Sequence, residues 1–380
     1  MIRPRPLRKR FFSERPEGLK ILRKLKGAVL MTGKLILEDG TIFTGEAFGS
    51  QGERAGLVIT YSGATGYQEM VTSPPYLGRL VAFESPMIGN RGATAEGFES
   101  DRVCAEGIIV KELSAASGGI RASKSFDEFS RERELLGVQG VDTRALAAHI
   151  SDNGEQWGLL TTKDSDKKGY LKRLEGIKGR IGGNPDNYRV SGEALLASWR
   201  PSRDNRTVVA LDLGAGKSFY MLLKKNNYFW RSFGPRMGAK EIMGIKPAAV
   251  IVTNGPFAPE SLKGTIQTVR ELVGSVPVFG IGLGCVVLGA ALGASPVRMK
   301  CGHHGSNFSV VNLETGRCAV TSQRHSFCLS EKSLAKAGVK MLCRNLDDGT
   351  PEGIILKKKN AAGIMYAPSG LETLESLISK

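Results

Sequence analysis

The sequence predicts an α/β protein in two parts: a β-rich first domain, then an α/β domain with a mainly parallel sheet. Three observations carry this. The 380 residues exceed one ordinary domain and suffice for two, each with its own core. Short apolar runs separated by Gly- and Pro-rich turns fill the first half. From Thr207 onward, strand, glycine turn and helix alternate, the pattern of a parallel sheet with helices on both faces. Apolar residues make up 41% and charged residues 24%, a globular balance. No stretch reaches the ~18 uncharged apolar residues of a membrane helix, so no membrane partner is expected.

Residues 34–37 and 41–45 flank Glu38-Asp39-Gly40 and read as a hairpin. Further strands are expected at 56–61, 79–83 and 107–110, and a helix at 143–151. The first domain then ends near residue 155. The polar segment 163–206, with its Lys, Asp, Gly and Pro clusters, makes 156–206 a linker. The second domain covers 207–380, with strands before the glycine turns at 214–216, 254–256 and 280–284.

The chain carries 53 Lys and Arg against 37 Asp and Glu, a net +16. Half of that excess sits in residues 1–30, where Arg3, Arg5, Arg8, Lys9, Arg10, Arg15, Lys20, Arg23, Lys24 and Lys26 face only Glu14 and Glu17. The tail is basic and amphipathic, with Leu19, Leu22 and Val29 at helical spacing. It fits a transit segment addressed to the mitochondrial matrix. The alternatives are a solvated basic extension, or an arm whose ten cations contact RNA phosphates. The six cysteines form no C-x-x-C pair, which argues against a disulfide framework and a structural zinc site.

Two motifs invite a catalytic reading. Gly216-Lys217-Ser218 follows a strand, but a phosphate-cradling loop needs a glycine five residues earlier, where Leu211 stands. An ordinary strand-to-helix turn is expected. Gly280-Ile281-Gly282-Leu283-Gly284 has the outline of a nucleophile elbow, yet its apex, Gly282, has no side chain, and Cys285 belongs to the following helix. His303 and His304 are neighbours on a strand and point to opposite faces, so neither these nor other residues are expected to hold a metal. His325 is expected in a pocket or core, and His149 in a structural role.

The ordered stretches Thr65-Gly66-Tyr67-Gln68-Glu69, Pro86-Met87-Ile88-Gly89-Asn90-Arg91-Gly92, Val141-Asp142-Thr143-Arg144, Thr253-Asn254-Gly255-Pro256, Gly302-His303-His304-Gly305 with Asn307, and Gln323 with His325 extend the elbow pattern over residues 31–380. Together they resemble the small, glutamine-hydrolysing subunit of carbamoyl phosphate synthetase, whose second domain is a class I glutamine amidotransferase. The resemblance implies a nucleophilic cysteine, a histidine base and an orienting glutamate. Gly282, Ala367 and Ser369 occupy those positions here, and Phe257 replaces a glycine of the oxyanion loop. It further implies a relic glutamine pocket at Asn254, Gly255, Gly284, Gly302, His303, His304, Gly305 and Gln323. The chain is therefore expected to be a pseudo-glutaminase without a cofactor. Its basic excess leads to the expectation of a structural component of an organellar ribonucleoprotein, the mitochondrial ribosome, with ribosomal RNA and ribosomal proteins as partners. The other expectation is a non-hydrolysing small subunit paired with the large subunit of an ammonia-dependent carbamoyl phosphate synthetase.

Overall fold

The computed structural model describes residues 31–178 and 206–378. The ten tail cations from Arg3 to Lys26 lie outside the described residues. Seven strands close into a barrel: β1 (Thr32–Leu37), β2 (Ile42–Gly49), β3 (Glu53–Tyr61), β4 (Arg79–Phe83), β5 (Gly107–Ile109), β6 (Leu136–Gln139) and β7 (Gln156–Thr161). Their spatial order is β1-β2-β6-β5-β4-β3-β7. The β1–β2 hairpin forms where Asp39 and Gly40 predict it. Gly40 takes the φ of 85° that the turn requires, and the Asp39 carboxylate accepts the Thr41 N–H. Leu35, Leu37, Val58, Leu80, Leu136 and Val138 are fully buried in one core cluster. The helix Thr143–Asn153 packs Leu146 and Ile150 onto that cluster, and Asp142 caps it through the Ala145 N–H.

The boundary drawn at residue 155 is corrected by β7. This strand pairs antiparallel with both β1 and β3 and so completes the barrel, which would have two free edges without it. A helix over Lys167–Lys178 then packs Tyr170 and Leu174 against Ile36 and Leu159. Residues 156–178 therefore belong to the first domain, and of the expected linker 156–206 the part 179–205 lies outside the described residues. The polar surface of that helix gave the segment a linker's composition.

The second domain holds a nine-stranded sheet in the order β13-β12-β14-β15-β16-β11-β10-β8-β9. One half is parallel: β9 (Tyr228–Phe233), β8 (Arg206–Leu211), β10 (Ala249–Val252), β11 (Val278–Ile281) and β16 (Ala361–Ile364). The other half is antiparallel, built from the long hairpin β12 (Pro296–Asn312) and β13 (Cys318–Leu329) with β14 (Lys340–Asn345) and β15 (Pro351–Leu356). The sheet is thus mixed. Two core clusters cover its faces, one around Val250, Val286 and Leu288, the other around Ile251, Phe279 and Trp230. Among the described residues no helix is long and apolar enough to cross a membrane.

The domains meet over a buried polar network. Glu155, which precedes β7, has a side chain only 2% exposed. One of its oxygens accepts from Gly302 N–H at 2.8 Å and Ser326 Oγ at 3.1 Å, with His304 Nε2 at 3.4 Å. The Arg79 guanidinium lies 3.9 Å from the other oxygen. Burial opposes ionisation of Glu155, but the His304 hydrogen bond, the Arg79 charge and the Gly302 N–H outweigh it and hold the pKa at about 2. Burial likewise pushes His304 down, to about 4, so a neutral ring serves as donor. The backbone joins in, with Ser62 N–H bonded to the His304 carbonyl at 3.0 Å.

Glu155→Gln keeps the shape and removes the charge, leaving Arg79 buried and uncompensated. A loss of about 3–5 kcal/mol is expected at neutral pH, read by denaturant unfolding. The folded pKa lies below the ordinary glutamate value of 4.5. The stability that Glu155 contributes is therefore complete above the unfolded value and disappears as pH falls through the folded one. The gap between wild type and variant should be widest above about pH 5 and close towards about pH 2.

Candidate functional site

The carboxyl ends of β8, β10, β11 and β16 open at one edge of the sheet, where strand order reverses between β8 and β10, and this is where open α/β sheets place their sites. A cavity of about 120 Å³ lies there, lined among others by Asn254, Gly282, Arg324, Tyr366 and Ala367, with Ser73 and Pro75 from the first domain. The Arg324 guanidinium reaches across to Ser73 Oγ at 2.9 Å.

The elbow predicted at residues 280–284 is present. β11 ends at Ile281, Gly282 turns the chain at φ 56° and ψ −120°, and the helix Leu283–Ala291 begins. A Cβ at Gly280 would lie 2.7 Å from the Cys285 backbone, so only glycine allows strand and helix to approach this closely. The Cys285 sulfur does not reach the cavity. It is fully buried, and burial pushes its thiol pKa far up.

The apex is occupied by another residue's side chain. The Asn254 Oδ1 accepts the backbone N–H groups of Leu283 and Gly255, each at 2.9 Å, and its Nδ2 donates to the Arg324 carbonyl at 3.2 Å. Two backbone donors converging on one oxygen are the arrangement that stabilises an oxyanion, and here the oxygen is the chain's own carboxamide. A Cβ at Gly282 would fall 2.5 Å from Asn254 Cγ and Oδ1. Phe257 is 3% exposed and anchors the loop after Asn254 in the core. Ala367 donates its N–H to the Ser322 carbonyl at 2.8 Å and is exposed, as is Ser369. None of the side chains at 282, 367 and 369 provides a nucleophile, a base or a carboxylate.

Of the expected pocket residues, Asn254 lines the cavity, and Gly255 contributes its N–H. The others are placed elsewhere. Gly284 packs its backbone against the Val252 carbonyl, Gly305 lies against Ser62, and Gly302 and His304 belong to the Glu155 network. His303 and Gln323 lie in the antiparallel half of the sheet. The period-two alternation of a strand explains the difference, because it sends the side chains of Gln323 and His325 to one face and that of Arg324 to the other. Arg324 is the cavity residue that the sequence reading missed, and its place between two polar residues on a strand was the available signal.

The Gly216-Lys217-Ser218 turn is an ordinary one. Asp212 Oδ1 accepts the Gly214 and Ala215 N–H groups, and Glu99 from the first domain accepts Ser218 N–H at 3.1 Å and Ser218 Oγ at 2.9 Å. A carboxylate thus fills the anion position at the start of the helix Lys217–Lys225.

His303 and His304 point apart, as expected, and the fold brings His303 together with two further residues of ligand type. His303, His325 and Glu352 place ligand-type atoms within 4.8 Å of one another. His303 Nδ1 is 3.0 Å from Glu352 Oε1, and its Nε2 is 3.0 Å from Asp348 Oδ2. Burial opposes protonation of His303, but the two carboxylates outweigh it and raise its pKa to about 9. Glu352 and Asp348 were missed because they lie on a different strand and turn, which only the β14–β15 pairing brings near. His149 Nε2 lies 2.6 Å from Asp39 Oδ2 on the barrel.

Residues 35–160 match the family model described as the carbamoyl-phosphate synthase small chain, CPSase domain, and residues 222–368 match glutamine amidotransferase class-I. The carbamoyl phosphate synthase small chain of Listeria monocytogenes is 33% identical over 334 residues, covering 88% of this chain and 90% of that one. That of Methanopyrus kandleri is 35% identical over 338 residues, covering 89% and 94%. The pyrimidine-specific small chain of Bacillus subtilis is 34% identical, covering 89% and 91%. These relatives overturn the expectation of a ribosomal component with RNA and ribosomal proteins as partners. That reading rested on ten cations in a tail, whereas the likeness runs through both folded domains. The chain belongs to the carbamoyl phosphate synthase small-chain family.

Proposed function

We propose that this protein is a non-hydrolysing small chain that pairs with a carbamoyl phosphate synthase large chain working on ammonia rather than on glutamine-derived nitrogen. The observation that carries this reading is the elbow, where Gly282 offers no nucleophile and Asn254 Oδ1 quenches both backbone donors. The residues at 367 and 369 support it, since alanine and serine supply neither the base nor the acid that activates a thiol. Loss of one such group typically costs several orders of magnitude in rate, and here none of them is present. Both cores are intact, so the fold remains available for pairing.

The test is reconstitution with a large chain from a relative such as that of Bacillus subtilis. The expected outcome is a stable complex that makes carbamoyl phosphate from ammonia and releases no glutamate from glutamine above a boiled control. Glutamate release from the purified complex would overturn the reading.

Gly282→Cys should not restore hydrolysis. The new Cβ meets Asn254, φ stays at 56°, and without a base at 367 the thiol remains mostly protonated near its ~8.5 reference pKa. A stability loss of about 1–3 kcal/mol from backbone strain should accompany the change and can be read by thermal unfolding.

A further inference from the structure

The antiparallel half of the second sheet carries a buried cluster with more acceptors than donors. Asp348 Oδ2 faces His303 Nε2 at 3.0 Å, while its Oδ1 takes the Thr350 N–H and hydroxyl, so the proton of that pair sits on His303 Nε2. The Phe327 carbonyl faces His325 Nδ1 at 3.1 Å, so the proton there sits on His325 Nδ1. In their neutral forms both rings then turn a lone pair, His303 Nδ1 and His325 Nε2, towards the Glu352 carboxylate. Gln323 Oε1, 3.3 Å from His325 Nε2, adds another acceptor, because Gln323 Nε2 donates to Thr321. Glu352 is fully buried, and its Oε2 has no hydrogen-bond partner. An ionised oxygen in that condition is costly.

Asn345 Nδ2, 3.3 Å from both Glu352 Oε1 and His303 Nδ1, or a proton on His303 Nδ1, satisfies Glu352 Oε1 and leaves Oε2 as it was. Oε2 lies 3.7 Å from His325 Nε2, too far for a hydrogen bond. That spacing suits two ligands of one tetrahedral ion, which stand about 3.4 Å apart when each bond is about 2.1 Å. We propose that His303 Nδ1, His325 Nε2 and Glu352 form a Zn2+ site, with Gln323 Oε1 in reach as a fourth ligand, that pins β12, β13 and β15 together. Two imidazoles with a carboxylate and a carboxamide favour Zn2+ over Mg2+ or Ca2+. Asp348 and the Phe327 carbonyl hold the outer nitrogens, as partners of metal-bound histidines do. Glu352 and Asp348 together balance the charge of the ion. Closing the set requires side-chain movements of about 1 Å, since its ligand atoms spread over 4.8 Å. The ligands are buried, which makes the site structural rather than catalytic. Metal uptake displaces any proton on His303 Nδ1, so binding releases protons.

The experiment uses the full chain, stripped with EDTA and titrated with Zn2+. Expected are one bound equivalent by elemental analysis, and a Tm that rises with free Zn2+ as mass action requires. Glu352→Gln and His325→Gln should each lose both, while Cys318→Ser at an exposed cysteine should keep them. Because a core variant can fail to fold, Co2+ is added to the wild type as well. A tetrahedral d–d spectrum without a thiolate charge-transfer band is expected. Wild type that retains no Zn2+ and shows no Tm shift, or a Co2+ spectrum with thiolate charge transfer, would overturn the proposal. Neither readout depends on pairing with a large chain or on glutamine chemistry, so the two proposals fail separately.

Discussion

The junction of the two domains is organised around one buried carboxylate. Glu155 stands where the first domain hands over to its last strand, and every group that faces it comes from another element: Gly302 and His304 on β12, Ser326 on β13, and the Arg79 charge on β4. An ion pair this deep adds little stability beyond what a hydrophobic replacement would offer, but it tolerates almost no displacement. It therefore fixes the position of β12 and β13 against the barrel. Arg324 on β13 is in turn placed over the cavity, close enough to bond to Ser73. The cavity has its shape because the interface has its register.

The elbow shows how a backbone turn is kept where its apex carries no side chain. The turn at Gly282 and the close approach at Gly280 depend on main-chain geometry, and that geometry is required by the packing of the following helix on the sheet whether or not anything reacts there. With no side chain at the apex, the two exposed N–H groups need an acceptor, and Asn254 supplies it at 2.9 Å.

Much of this was legible in the sequence. The Asp39-Gly40 hairpin, the strand at 79–83, the helix beginning at Thr143 and the glycine elbow were readable because each is dictated by neighbours in the chain. The closing strand Gln156–Thr161 was not, since only its pairing with β1 and β3 distinguishes it from the polar stretch that follows. The pocket residues on β12 were misplaced for a related reason: the motif identified Gly302, His303 and His304, but alternation and a register shift between Arg298 and His303 decide which way each faces. The contacts of Glu352 with His303 and of Glu99 with Ser218 span 49 and 119 residues, beyond the reach of any local pattern.

The Glu99 carboxylate on Ser218 makes the first domain a resident ligand of the second. A tethered group of this kind competes with free anions at an effective concentration on the order of millimolar or more. The turn at residues 214–218 is thus closed from within, and the anion it holds is a side chain of the neighbouring domain.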